Sequence, residues 1–224
     1  MWSLDMAAGA LGRVEQHLSP DEIQRADRFV MPIHQVRFRA GRGRMREILG
    51  GYADAAPEDL HFSKIENGKP ILNGGPSFNL SHSGSWAMLA VAPQHPKLQL
   101  GVDIEKHRSI ERDLPERFFS PNERSIMQEL QNTDWTTAFF QIWTRKEAVI
   151  KATGTGLSAD LKGFDVSCGS NSPQVTRAVP PMPKSNDWSL HNLELGPSMA
   201  GALAVVSQDA PVTLRYRELP EPIE

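Results

Sequence analysis

A single cysteine, Cys168, stands in 224 residues, which excludes an internal disulfide and with it the stapled scaffolds of small secreted domains. No apolar run approaches the roughly 20 residues a membrane span needs, and the first residues lack the basic segment followed by an apolar one that marks a secretory leader. Charge of one sign is also missing. Lys and Arg number 24 against 27 Asp and Glu, a net −3, so no global field draws the chain to nucleic acid or to an anionic membrane. The expectation is a soluble cytoplasmic protein with ordinary globular composition, long enough for one large domain or two small ones.

The stretch richest in chemistry is Leu98-Gln99-Leu100-Gly101-Val102-Asp103-Ile104-Glu105. Apolar and polar residues alternate, the pattern of a strand with one face in a core, so Asp103 and Glu105 project from the same face. Two neighbouring carboxylates raise each other's pKa unless a cation lies between them, and hard oxygen ligands of this kind suit Mg2+. On these residues alone a solvated strand end competes, and partners elsewhere must decide.

Upstream, Ser19-Pro20-Asp21-Glu22 combines a capping serine, a first-turn proline and a glutamate that completes a capping box. Pro32 opens a second helix to Leu49, with Phe38, Met45, Ile48 and Leu49 facing inward. Between Arg25 and Arg46 lie seven arginines and one acid, Asp27; Arg37 and Arg44 share one helix face, and Arg39, Arg42 and Arg46 another. Such a stretch is a solvated basic face, a nonspecific nucleic-acid patch or a phosphate clamp suited to arginine's forked donors. Few aromatics nearby to stack bases, and the acidic remainder of the chain, count against nucleic acid. Residues 51–59 read as a loop and 60–65 as a strand. Asn67-Gly68-Lys69-Pro70 is a turn with Lys69 at its tip as a solvated charge. In Phe78-Asn79-Leu80-Ser81-His82-Ser83-Gly84 adjacent residues point to opposite faces, so Ser81 and His82 are poorly placed as nucleophile and base. Phosphate binding and a structural turn histidine both stay open there, before a buried strand over 86–92.

Downstream, 106–116 reads as a loop. Ser120-Pro121-Asn122-Glu123 repeats the earlier helix start about one hundred positions on, and residues 85–91 resemble 198–205 in pattern. Both point to internal duplication and to two α+β halves, expected at 1–106 and 107–224. The strongest helical period runs from Trp135 to Ala152. Glu147 and Lys151 interrupt it, either as an ordinary surface pair four apart or with Glu147 facing the strand carboxylates to complete a metal site. Residues 167–187 read as a loop or weak hairpin, 188–195 and 200–207 as strands, and 220–224 as a loose tail.

Taken together, Gly68-Lys69-Pro70, Phe78-Asn79-Leu80-Ser81-His82-Ser83-Gly84, Gly101-Val102-Asp103-Ile104-Glu105 and Trp143-Thr144-Arg145-Lys146-Glu147-Ala148-Val149-Ile150-Lys151-Ala152 resemble, in order and spacing, the signature of the Sfp-type 4′-phosphopantetheinyl transferases. With their connections they cover residues 19–157. The resemblance implies transfer of the phosphopantetheine arm of coenzyme A to a serine of an apo acyl or peptidyl carrier protein, using Mg2+ and releasing 3′,5′-ADP. It implies two similar α+β halves related by pseudo-two-fold symmetry, with coenzyme A in the cleft between them. Asp103, Glu105 and Glu147 would be the metal ligands, Asp103 also facing the cofactor. Ser81 and His82 would contact coenzyme A phosphate, Lys69 would lie near the adenine nucleotide, and Arg37 and Arg25 would hold the 3′-phosphate. One departure stands out: Glu22 occupies a position where the family has lysine.

On that reading Asp103, Glu105 and Glu147 would hold a metal that would neutralise charge built up on the pyrophosphate during attack. Glu147 accepts the serine proton, directly or through a water, with a metal-activated water as the competitor, and Lys151 stabilises or protonates the departing phosphate. Residues 108–119, with Arg112, Leu114, Arg117 and Phe118, would meet an acidic carrier helix, and two fused halves would make a monomer. A noncatalytic coenzyme A-binding module and a metal-dependent nuclease are the alternatives. The three carboxylates with Lys151 argue against the first, and the low net charge against the second.

Overall fold

A computed structural model describes residues 1–9, 11–65, 67–156, 160–169, 172–207 and 211–217. The tail expected over 220–224 lies outside them. Two α+β halves follow one another in the same general order, a strand, then helices, then four strands, the first half having four α-helices and the second three among the described residues. The first runs β1 (Trp2–Ser3), α1 (Leu4–Gly9), α2 (Leu11–Glu15), α3 (Pro20–Asp27), α4 (Pro32–Ala53), the hairpin β2 (Phe62–Lys64) and β3 (Pro70–Leu72), then β4 (Ser77–Ser83) and β5 (Trp86–Ala92). The second runs β6 (Gln99–Lys106), α5 (Leu114–Phe118), α6 (Pro121–Gln128), α7 (Asn132–Thr153), β7 (Asp165–Val166), β8 (Val175–Arg177), β9 (Trp188–Asn192) and β10 (Met199–Val206). The main sheets are ordered β1-β5-β4 and β6-β10-β9, so each half places its first strand beside its last. Among the described residues no helix is long and apolar enough to cross a membrane.

The repeat extends to individual hydrogen bonds. Both capping boxes form, Ser19 with Glu22 before α3 and Ser120 with Glu123 before α6. Each box glutamate then reaches a cation on the long helix that follows. Glu22 Oε2 accepts from Arg46 Nε at 2.7 Å, and Arg46 also donates to the carbonyls of Pro57 and Leu60. Glu123 Oε2 lies 2.9 Å from Lys146 Nζ, which donates to the carbonyls of Leu161 and Phe164. Buried ion pairs contribute little net stability but fix geometry when every donor is satisfied, and here they lock each long helix to its short neighbour. Glu22 is thus taken up in an internal ion pair.

Three expectations change. Strand β6 pairs with β10 from Gln99 to Lys106, so the division expected after residue 106 falls before Gln99. Helix α4 continues past Leu49 to Ala53 and closes on Asp54 in the left-handed region at φ 51°, a conformation Asp tolerates better than most residues. The presumed loop after 106 contains the short helix α5.

The halves meet where β4 lies along β6. Strand β6 is the edge of its sheet, so alternate amides point away from β10 and need partners. Side chains at every second position of β4 supply them: Asn79 Oδ1 accepts from Val102 N at 2.8 Å, Ser81 Oγ from Ile104 N at 3.2 Å and Ser83 Oγ from Lys106 N at 3.0 Å. On the sheet's other side α7 packs against β6 and β10. There a Cβ on Gly101 would lie 2.0 Å from the Ala148 carbonyl and 2.3 Å from the Ala152 amide, so only glycine permits this approach. Gly101→Ala is expected to cost about 3 kcal/mol through overpacking, measured as a lower urea midpoint at unchanged m-value. Gly12→Ala, whose Cβ meets nothing within 4 Å in α2, should change stability by less than about 1 kcal/mol and in the favourable direction.

Candidate active site

The close approach at Gly101 sets Glu147 and Lys151 of α7 beside the carboxylates of β6. Asp103 is buried, at 4% exposure, and its Oδ1 accepts from Ser81 Oγ at 2.8 Å and from Lys151 Nζ at 2.6 Å. Lys151 Nζ also donates to Ser81 Oγ at 3.0 Å. Two positions along, Glu105 Oε2 accepts from Ser83 Oγ at 2.7 Å and from Arg108 Nη1 at 3.1 Å. Each strand carboxylate thus has one serine and one cation on a single oxygen, while Asp103 Oδ2 is buried with no hydrogen-bond partner among the described residues.

Burial pushes the Asp103 carboxyl up, against the pull of Lys151 and Ser81, and the neighbouring Glu105 adds to the rise. Glu147 is raised first by burial and then by Asp103 and Glu105, with Lys151 opposing. The three acids therefore sense one another. Among the described residues, however, no three His, Cys, Asp or Glu side chains are drawn into a ready-made metal cage. Lys151 pairs with Asp103 and not in the expected surface pair with Glu147.

The other expected site residues are spread along the same cleft and beyond it. Ser81 is buried, and its single O–H and both lone pairs serve Asp103, Lys151 and Ile104; a hydroxyl has no further capacity. It is a tie between strand and helix, and not the free phosphate contact expected. His82 projects from the opposite face of β4 and is exposed. Lys69 is not a solvated charge at a turn tip. It donates to the carbonyls of Leu100 at 2.8 Å and Ala152 at 2.9 Å, joining the first half to the end of α7, where a cation also suits the helix dipole. Burial pushes its ammonium down to about 8, while the two acceptors favour the charged form.

The arginine stretch is largely neutralised from within. Arg37 pairs with Asp5, Arg39 with Glu15 and Asp27, Arg42 and Arg46 with Glu22, and Arg44 with Glu47. Arg25 lies over the Phe38 ring at 5.4 Å. Asn79, Ser83 and Arg108 escaped notice as site residues, although the alternation of Asn79, Ser81 and Ser83 marks one polar face of a strand.

A carboxyl whose pKa rises on folding binds its proton more tightly in the native state, so it costs stability as pH climbs from the unfolded value through the folded one. Glu147→Gln removes that cost. In EDTA its melting temperature should exceed that of the wild type at pH 8. The difference should vanish below pH 4, and a lower melting temperature at pH 8 would contradict the raised pKa.

Comparison with known proteins agrees with this division of the chain. Residues 8–94 match the model of the 4′-phosphopantetheinyl transferase N-terminal region, and residues 99–206 match that of the 4′-phosphopantetheinyl transferase superfamily. The 4′-phosphopantetheinyl transferase HetI of Nostoc is 37% identical over 90% of this chain and 84% of its own length. The 4′-phosphopantetheinyl transferase Sfp of Bacillus subtilis is 29% identical over 92% of each. A solved holo-(acyl-carrier-protein) synthase of Bacillus anthracis in complex with CoA overlays 48% of this chain and 94% of its own at 23% identity and a TM-score of 0.39. With both halves matched in order and the HetI likeness spanning nearly the whole chain, this protein belongs to the 4′-phosphopantetheinyl transferase superfamily.

Proposed function

We propose that this transferase moves the 4′-phosphopantetheine arm of coenzyme A to a serine of an apo acyl or peptidyl carrier protein, with Mg2+ as resident metal and 3′,5′-ADP as the second product. The observation that carries the reading is the acidic pair on β6 facing Glu147 and Lys151 of α7, with Asp103 Oδ2 buried and unpartnered. This donor set fits Mg2+. Asp103, Glu105 and Glu147 are hard oxygen ligands whose mutual repulsion a divalent cation relieves, and Mg2+ takes one or two carboxylates and completes its shell with water and substrate phosphates. An acid set that is coupled but not closed into a cage suits that habit. When bound, the ion supplies neutralisation of charge on the pyrophosphate.

The remaining work falls to side chains. The carrier serine oxygen forms a bond to phosphorus, and the bond to the bridging pyrophosphate oxygen breaks, its electron pair leaving with 3′,5′-ADP. Glu147, raised toward neutrality by burial and its acidic neighbours, accepts the serine proton. Lys151 uses two N–H groups on Asp103 and Ser81, and its third is free to meet the departing phosphate. His82, Lys69, Arg25 and Arg37 hold the nucleotide end of coenzyme A, with Arg37 exchanging Asp5 for phosphate. Arg112 and Arg117, over Trp135 and Phe118, face the acidic carrier. The protein acts as a monomer, since one chain supplies both walls of the cleft. The internal pairing of the arginines disfavours the nuclease alternative.

Purified protein, coenzyme A and several apo carriers are mixed with Mg2+ or with EDTA, and carriers are weighed by intact mass. The arm should appear only with Mg2+. Glu147→Ala should slow transfer by about a hundredfold or more while keeping the wild-type circular dichroism spectrum. Transfer by that variant at near wild-type rate would reject the site.

A further inference from the structure

Glu105 is held by two groups that the reaction above leaves without a role, and they differ in how firmly they are fixed. Ser83 is 8% exposed; its hydroxyl donates to Glu105 Oε2 while accepting from the Lys106 amide, so it is anchored in the seam between the halves. Arg108 touches the same oxygen from outside, with 60% of its side chain exposed. Its guanidinium also lies 5.5 Å from the centre of the Phe140 ring, a resting place it keeps without the carboxylate. The arrangement parallels Ser81, Asp103 and Lys151 two residues back along each strand, but there the cation is far less exposed, at 28%.

We propose that Ser83 is a positioning residue that aims the Glu105 carboxylate at a divalent cation, and that Arg108 is a releasable counter-ion competing with that cation for Glu105. The proposal rests on the metal reading above. A hydroxyl that fixes a ligand's orientation strengthens metal binding. A mobile guanidinium on the same carboxylate weakens it, because both cations draw on one negative charge. The two substitutions therefore act in opposite directions, which a merely structural role for either residue does not produce.

Mn2+ alone serves as the probe, titrated into metal-free full-length protein and followed by the electron paramagnetic resonance signal of the free ion. Ser83→Ala should weaken Mn2+ binding about tenfold or more, and Ser83→Thr, which keeps the hydroxyl, should restore most of it. Arg108→Gln should tighten binding about two- to fivefold, as expected for loss of an exposed ion pair, and that gain should shrink in high salt. Arg108→Gln lies at an exposed position and keeps the test open should Ser83→Ala fail to fold. Weaker binding in Arg108→Gln, or unchanged binding in a folded Ser83→Ala, would overturn the proposal while leaving the metal reading intact. Absence of Mn2+ binding to the wild type even with 3′,5′-ADP present, or binding unaffected by Asp103→Asn, would remove both.

Discussion

The seam between β4 and β6 is the constraint on which the rest of the molecule depends. A sheet edge cannot be buried with its amides unpaired, since each orphan costs about 1–3 kcal/mol. Here the edge of one sheet is closed by side chains of the other, through Asn79, Ser81 and Ser83. Short polar side chains suit this task because they reach a neighbouring backbone without disturbing their own strand. Two of the three serve twice, for Ser81 and Ser83 also orient Asp103 and Glu105. The groups that join the halves are those that aim the acids, so assembly and chemistry share one set of hydrogen bonds.

The two halves share a scaffold and differ in what it carries. Arg46 and Lys146 do the same structural work in the two halves. The residues that follow them do not. Glu47 stands one hundred positions before Glu147, but it is neutralised by Arg13 and Arg44, and Gly51 stands where the second half has Lys151. The long helix of the second half carries Glu147 and Lys151, while the first half contributes the strand with Ser81, His82 and Ser83. Neither half holds the whole of the proposed site.

Local patterns were legible where local physics dictates them. The capping boxes at Ser19 and Ser120 formed because serine, proline and glutamate satisfy a helix start within four residues. The period of two in β6 placed Asp103 and Glu105 on one face. What could not be read was long-range pairing. Gln99 to Lys106 is contiguous with the first half, yet its strand ladder pairs with Met199–Val206, and no nearby residue signals that choice. Lys69 and the arginines of α4 misled for the same reason. A charged residue looks solvated until its partner, such as the Ala152 carbonyl or Glu22, is brought in from far along the chain.

The electrostatics of the cleft follow from how tightly its walls fit. Gly101 lets α7 lie so close to β6 that Asp103 and Glu147 lose water, and desolvation is the leading cause of both raised pKa values. A looser fit, as any side chain at position 101 would impose, leaves the acids hydrated and nearer their ordinary range, where Glu147 is a weaker base. Tightness alone would make the site strongly destabilising, because three acids would share a drying pocket. Lys151 and Arg108 moderate that repulsion by taking one oxygen on each strand carboxylate. The pocket is thus kept foldable by its own cations while burial still raises Asp103 and Glu147, the condition on which the proposed metal binding and proton transfer draw.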